Sequence, residues 1–249
     1  MNLTGKIALV TGGTKGIGAA TAIALARQGA DVAIVGRHLG DEAKSTGDAI
    51  RRSGRRCEMI QADCAKAAET IRCVRETESR LGVVDVLVHS AGGPVNGGLF
   101  DLTPEMWQAA FDVHVHAIFH LCRNVIPGMR VKQGGAIVLI SSTAGIRGIV
   151  TNIAYQVAKG ALPQFARALA REFANDNIRV NCVAPGVVRT AFHAAMTEDQ
   201  RRLNLEHRIP LHREGTPEQV ADLILTLLKN DYITGETMTI DGGLTMRIA

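Results

Sequence analysis

Tyr155 and Lys159 stand four residues apart in "AYQVAK" (154–159). On a helix that spacing puts both side chains on one face. A free phenol ionises near pH 10, roughly, and a neighbouring ammonium favours the phenolate, bringing that value toward working pH. Such a pair can pass a proton to a carbonyl oxygen while hydride arrives at the carbon. Thirteen residues upstream of the tyrosine, "ISSTAG" (140–145) offers Ser142, whose hydroxyl can donate to the same substrate oxygen.

Hydride chemistry needs a carrier, and "TGGTKGIG" (11–18) follows an apolar run directly. A strand, a glycine-rich turn and a helix are the context of a dinucleotide site. Gly12 allows the tight turn, Gly16 lets backbone approach a pyrophosphate, and Gly18 permits close helix–strand packing. Thr14, Lys15 and Ile17 complete the turn, and free N–H groups at the helix start face the phosphates. NAD sites usually end the second strand with an acid that holds the ribose 2′-hydroxyl. Here that strand runs into Gly36, Arg37 and His38, with no carboxylate. A guanidinium pairs well with a 2′-phosphate, and Lys15 supplies a second cation. NADP(H) is therefore expected in preference to NAD(H).

A third chemical-looking stretch is "FDVHVHAIFHL" (111–121), with His114, His116 and His120. Asp112, His116 and His120 share one helix face, and such a set can hold zinc. No HExxH pattern accompanies them and no further ligand is indicated, so no metal is expected. His116 and His120 read as surface or interface residues.

Positioning these groups falls to an alternation of short β-branched runs and Ala-rich helical segments. Strands are expected at 6–11, 31–36, 57–62, 84–89, 135–141, 178–184 and 237–241. Helices are expected at 17–28, 41–53, 66–81, 104–126, 154–174 and 217–229. The pattern predicts an α/β fold: one doubly wound, Rossmann-type domain over 1–249 with a parallel sheet between helices. A polar excursion at 190–216 breaks the rhythm and is either a substrate loop or an ordinary surface excursion. Pro163 lies one turn beyond Lys159. It removes an N–H from the helix, which predicts a kink or widened turn between 159 and 163.

Composition excludes other classes. The net charge of +4 is too small to argue for nucleic acid. The densest basic cluster, Arg51, Arg52, Arg55 and Arg56, reads as a solvated helix end. Five scattered cysteines form no CxxC pair, which suits a reducing cytoplasm. No apolar run is long enough to span a membrane, and no leader pattern precedes the first strand.

The segments "TGGTKGIG", "SAGG", "ISS", "YQVAK", "APGVVRT" and "YITGETMTIDGG" together resemble the short-chain dehydrogenase/reductase family, in its order and spacing along nearly the whole chain. The resemblance implies a seven-stranded sheet and an enzyme that interconverts ketones and secondary alcohols with NAD(P)(H). It implies that Tyr155 is the acid/base, that Lys159 lowers its pKa and binds the nicotinamide ribose, and that Ser142 holds the substrate oxygen. It places Asp63 and Cys64 near adenine, Ala91 and Gly92 near the adenosine ribose, and Pro185, Gly186, Val188 and Thr190 beside the nicotinamide. It also implies self-association, as a homotetramer or dimer, through the helices at 104–126 and 154–174.

Two positions depart from the family pattern. His89 and Ser90 replace the asparagines of "NNAG", and His114 stands where the family's catalytic tetrad has an asparagine. An alternative reading is therefore an NADP-binding scaffold with little turnover, although retention of Ser142, Tyr155 and Lys159 argues against it. The general pattern is most similar to 3-oxoacyl-[acyl-carrier-protein] reductases, which dock an acidic carrier on basic residues. Asp176 weakens that reading, while Arg130 and Lys132 stay available to it.

Overall fold

Apolar runs bounded by glycine and polar turns form inner strands that are buried on both faces, as parallel sheets require, while the edge strands at 57–61 and 237–240 are partly exposed. In this computed structural model, which describes residues 1–193 and 196–246, the strands are β1 (Ile7–Thr11), β2 (Asp31–Gly36), β3 (Cys57–Gln61), β4 (Val86–His89), β5 (Gly135–Ile140), β6 (Ile178–Pro185) and β7 (Thr237–Ile240). They form one sheet in the order β3-β2-β1-β4-β5-β6-β7, and every pairing is parallel. The order reverses between β1 and β4, which opens a crevice beyond the carboxyl ends of those strands.

Helices α1 (Gly16–Arg27), α2 (Asp41–Arg52), α3 (Ala67–Arg80), α4 (Pro104–Phe111), α5 (Ala117–Val131), α6 (Ile153–Glu172), α7 (Glu198–Leu203) and α8 (Pro217–Lys229) follow. They cover both faces. On one, Leu9, Leu87, Ile137 and Leu139 pack with Val74 of α3, Leu121 of α5 and Leu162 of α6. On the other, Val10, Ile34, Val86 and Val138 pack with Leu25 of α1, Ile50 of α2 and Ile224 of α8. The basic cluster is tied down rather than gathered for a partner: Arg51 pairs with Asp48, and Arg55 and Arg56 clasp the buried Asp31. No helix among the described residues is long and apolar enough to cross a membrane.

Two helices depart from expectation. The single helix expected at 104–126 is divided, because Asp112–His116 forms a π-helical turn between α4 and α5. Conversely, the widening expected at Pro163 is absent: α6 runs from Ile153 to Glu172 as uninterrupted α-helix. The carbonyl of Lys159, which loses its helical donor to the proline, accepts instead from the Ser141 hydroxyl at 2.7 Å. An outside donor satisfies the carbonyl, so the turn has no need to open.

The excursion at 190–216 carries its own structure, although Ala194 and Ala195 lie outside the described residues. Thr197 and Gln200 cap α7 reciprocally, and a second π-helical turn covers Asn204–Arg208. The buried Glu214 carboxylate pairs with Arg189 at 3.1 Å and Arg201 at 3.3 Å, fastening the two arms of the excursion together.

Candidate active site

At Gly12 the backbone has φ +66, and a Cβ there would lie 2.7 Å from the backbone nitrogen of Ala91. The turn after β1 is thus pressed against the segment after β4, and only glycine fits. A Cβ on Gly18 would stand 2.1 Å from the Gly12 carbonyl oxygen, so α1 sits directly on the turn. No side chain caps α1, whose N-cap is Lys15. Its first amides and its positive dipole end therefore stay open at the turn, a cradle of the kind that can hold an anion such as a pyrophosphate. Thr190 approaches from the other side, with its Cγ2 3.3 Å from where a Gly16 Cβ would be.

The remaining cofactor candidates border this cradle along the carboxyl ends of the strands. Thr14 packs against Gly36, and Ile17 packs into the core beneath α1. Arg37 and His38 are exposed at the end of β2, and the Arg37 side chain has no partner among the described residues. Lys15 lies 3.7 Å from Glu42 in an exposed ion pair, a weak and easily exchanged contact. The Asp63 carboxylate accepts from the Ala65 amide at 3.1 Å. Cys64 is buried, and burial pushes its thiol up to about 12, so only its backbone is open to a ligand. Pro185 ends β6, the Gly186 amide donates to Ile240, and Val188 bridges to Gly215.

Ser142 follows β5, and its hydroxyl accepts from the Ala144 amide at 3.1 Å while lying within hydrogen-bonding reach of the Tyr155 phenol. Tyr155 and Lys159 project from the first turns of α6, and the Lys159 ammonium is 5.7 Å from the phenol ring centre. That ammonium donates to the Ile140 carbonyl at 2.7 Å. Burial pushes Tyr155 up to about 12, with the Ser142 contact opposing the shift, and pushes Lys159 down to about 8. The expected lowering of the phenol by Lys159 is not what this geometry gives. Desolvation dominates, and the ammonium is turned toward a backbone oxygen.

His114 sits in the π-helical turn with its ring buried. Its Nε2 lies 3.1 Å from the Gly93 carbonyl oxygen. A carbonyl only accepts, so this nitrogen carries the hydrogen and Nδ1 holds a lone pair. Nδ1 is buried and has no partner among the described residues. The ring meets Tyr155 edge to face, with centres 5.5 Å apart and planes at 83°. Gly92 lies beneath it, where a Cβ would be 2.2 Å from the imidazole Cε1. Burial, then Lys159, pushes His114 down to about 2. The other two histidines do not join it. His116 is exposed and bonded to Asp112 at 2.9 Å, while His120 stacks edge-on against Phe119. No metal-binding cluster of His, Cys, Asp and Glu occurs among the described residues.

The structure adds two groups that the sequence reading did not place in the site. Phe192, on the excursion, brings its ring within 5.8 Å of Tyr155. His89 bonds Thr11 on one side and Val113 on the other. Phe192 had no local signal. His89 did, as the altered first position of "HSAG".

A family model described as enoyl-(acyl carrier protein) reductase matches residues 12–245. The chain is 34% identical over 244 residues to the 3-oxoacyl-[acyl-carrier-protein] reductase FabG of Chlamydia muridarum, covering 97% of this chain and 98% of that one. It is 37% identical over 249 residues to dehydrogenase/reductase SDR family member 4 of Bos taurus, covering 97% and 88%. The solved L-sorbose reductase of Gluconobacter frateurii, complexed with NADPH and L-sorbose, superposes with a TM-score of 0.91 at 29% identity over 100% of both chains. Whole-length relatives at these identities, on a seven-stranded sheet with this crevice, establish that the chain belongs to the short-chain dehydrogenase/reductase family of oxidoreductases.

Proposed function

We propose that the chain reduces a ketone to a secondary alcohol, reversibly, with NADP(H) as its cofactor. The observation that carries this reading is the meeting of Ser142, Tyr155 and Lys159 beside the Gly12–Gly18 cradle, at the reversal of strand order. The cradle fits a dinucleotide because glycine is required at its tightest points and the α1 amides are uncapped. The bound nicotinamide supplies the hydride. Ser142 orients the substrate oxygen by donating to it, and Tyr155 hands that oxygen its proton. Lys159, with its ammonium 5.7 Å from the phenol ring centre, would relay the replacement proton to Tyr155 together with the cofactor ribose. A phenol raised by burial is fully protonated at neutral pH, the state that reduction requires of a proton donor.

Arg37, just after β2, and Lys15, at the start of α1, support NADP(H) over NAD(H), since two cations suit a ribose 2′-phosphate and no acid ends β2. The NADPH in the Gluconobacter enzyme agrees with that choice. Phe192, close to the phenol, supports the excursion at 190–216 as the part that selects substrate. A carrier-protein substrate gains nothing from Arg130 and Lys132. Arg130 pairs with Asp176, and Lys132 with Asp85, at the amino ends of the strands opposite the crevice. Exposed Met106, Trp107, Phe119 and Val157 on α4, α5 and α6 support self-association through those helices, which sedimentation would read as a dimer or tetramer.

The decisive experiment follows NADPH absorbance over a broad ketone panel, with NADH in parallel, for the parent chain and Tyr155→Phe. The variant loses most turnover and keeps cofactor binding. Undiminished turnover in Tyr155→Phe would sink the assignment, and equal use of NADH would overturn the cofactor preference.

A further inference from the structure

We propose that His89 is a positioning residue, which ties the phosphate turn to the π-helical turn and so holds His114 against Tyr155. The proposal rests on the reading of Tyr155 as the proton donor.

His89 ends β4, next to the reversal of strand order, and is buried. Its Nε2 lies 3.1 Å from the Val113 carbonyl oxygen, which can only accept, so Nε2 bears the hydrogen. Its Nδ1 is then unprotonated and accepts from the Thr11 hydroxyl at 2.8 Å. Both ring nitrogens are used, in one tautomer, and the ring has no freedom to flip. Thr11 pairs in register with His89 and is the last residue before Gly12. Val113 lies inside the widened turn, immediately before His114. A π-helical turn interrupts the regular ladder of the α-helix, and the imidazole gives the Val113 carbonyl a donor from outside the helix. The next three residues, Ser90 to Gly92, continue the same contact, with Gly12 against Ala91 and Gly92 under the His114 ring. One imidazole thus joins the cofactor cradle, the widened turn and the edge-to-face packing on the phenol.

The experiment compares the parent with His89→Leu, which removes both bonds, and His89→Gln, whose amide nitrogen can still donate to Val113. Steady-state turnover, NADPH affinity and amide exchange by mass spectrometry are read on each. In His89→Leu, kcat falls about tenfold while the KM for ketone and the NADPH Kd stay within about twofold. Exchange across 112–118 quickens about tenfold, with the sheet unchanged. His89→Gln recovers most of both. Equal kcat in the Leu and Gln variants overturns the proposal, as does unchanged exchange across 112–118, or a loss of NADPH affinity that accounts for the whole effect. If His89→Leu does not fold, Thr11→Val and His89→Gln still decide: Thr11→Val loosens the ring and raises exchange across 112–118, and no change there overturns it. A parent without ketone turnover defeats the proposed reduction alone, since the exchange measurement then judges His89 by itself.

Discussion

The Ser141 hydroxyl donates to the Lys159 carbonyl at 2.7 Å, the very carbonyl that Pro163 leaves without a helical donor. A residue just after β5 thereby supplies the donor missing from the helix that carries Tyr155 and Lys159. Gly145 closes the same seam, because a Cβ there would lie 2.7 Å from the Lys159 carbonyl carbon. Ser141→Ala strands a buried acceptor at a cost of about 1–3 kcal/mol, measurable as a lower urea midpoint. In a Pro163→Ala background, where the helix regains its N–H, the same change costs clearly less.

Burial of Lys159 costs stability. Its folded value is pushed down to about 8 from 10.5 by burial. Between those values the unfolded chain keeps a proton that the folded chain has released, so stability rises with pH through the window. Below it the buried ammonium imposes a constant cost, at most roughly 3 kcal/mol. Tyr155, raised by burial, acts in the opposite sense above pH 10 or so, where the unfolded phenol ionises first. Lys159→Met abolishes turnover and flattens the rise of stability between about pH 8 and 10, as denaturant titrations at several pH values will show.

His114→Asn retains turnover, within about fivefold of the parent. Both buried imidazoles are neutral at every working pH, with His89 pushed down to about 3 and His114 to about 2. The profile of kcat between pH 5 and 8 therefore keeps its shape in the variant. An ionisation near 6.5 that vanishes with His114 would show the ring to be charged in the working enzyme.

Arg37→Asp moves cofactor preference from NADPH toward NADH by about a hundredfold in the ratio of kcat/KM, since a carboxylate repels the 2′-phosphate and suits the 2′-hydroxyl. Lys15→Ala shifts the ratio less, because its exposed ion pair with Glu42 already shares the charge. Parallel kinetics with both cofactors check the order of the two effects.

Gly92→Ala forces the His114 ring to move, because the new carbon would sit 2.2 Å from Cε1 at a backbone φ of +153. It lowers kcat by about tenfold or more and reduces thermal stability. Pairing it with His114→Ala, which vacates the space, recovers part of the stability.

Period and punctuation were enough to read the sheet, the helices and the cradle, because apolar alternation and Gly12 act locally. All seven strands and the helix starting at Pro217 fall within a residue or two of expectation. The two helix departures share one cause. Whether a turn widens depends on which distant group serves its carbonyls, and neither Ser141 against Lys159 nor His89 against Val113 leaves a local trace. The directions of the Tyr155 and Lys159 shifts were equally hidden, since they come from burial and from the Ile140 carbonyl rather than from the i,i+4 spacing. Phe192 was unreadable for the same reason: an aromatic in a polar excursion has no period to announce where it lands.

Strand order also dictates how the molecule can be born. β1, β2 and β3 emerge first and can pair among themselves, but the inner edge of β1 stays bare until residue 89 has left the ribosome. Through that interval the nascent chain carries an open row of backbone donors and acceptors, the kind of edge that seeds misassembly. Docking of β4 onto β1 seals it and, in the same step, brings His89 to Thr11. Synonymous or temperature changes that slow translation between residues 61 and 89 should therefore lower the yield of soluble protein more than equal delays after residue 140.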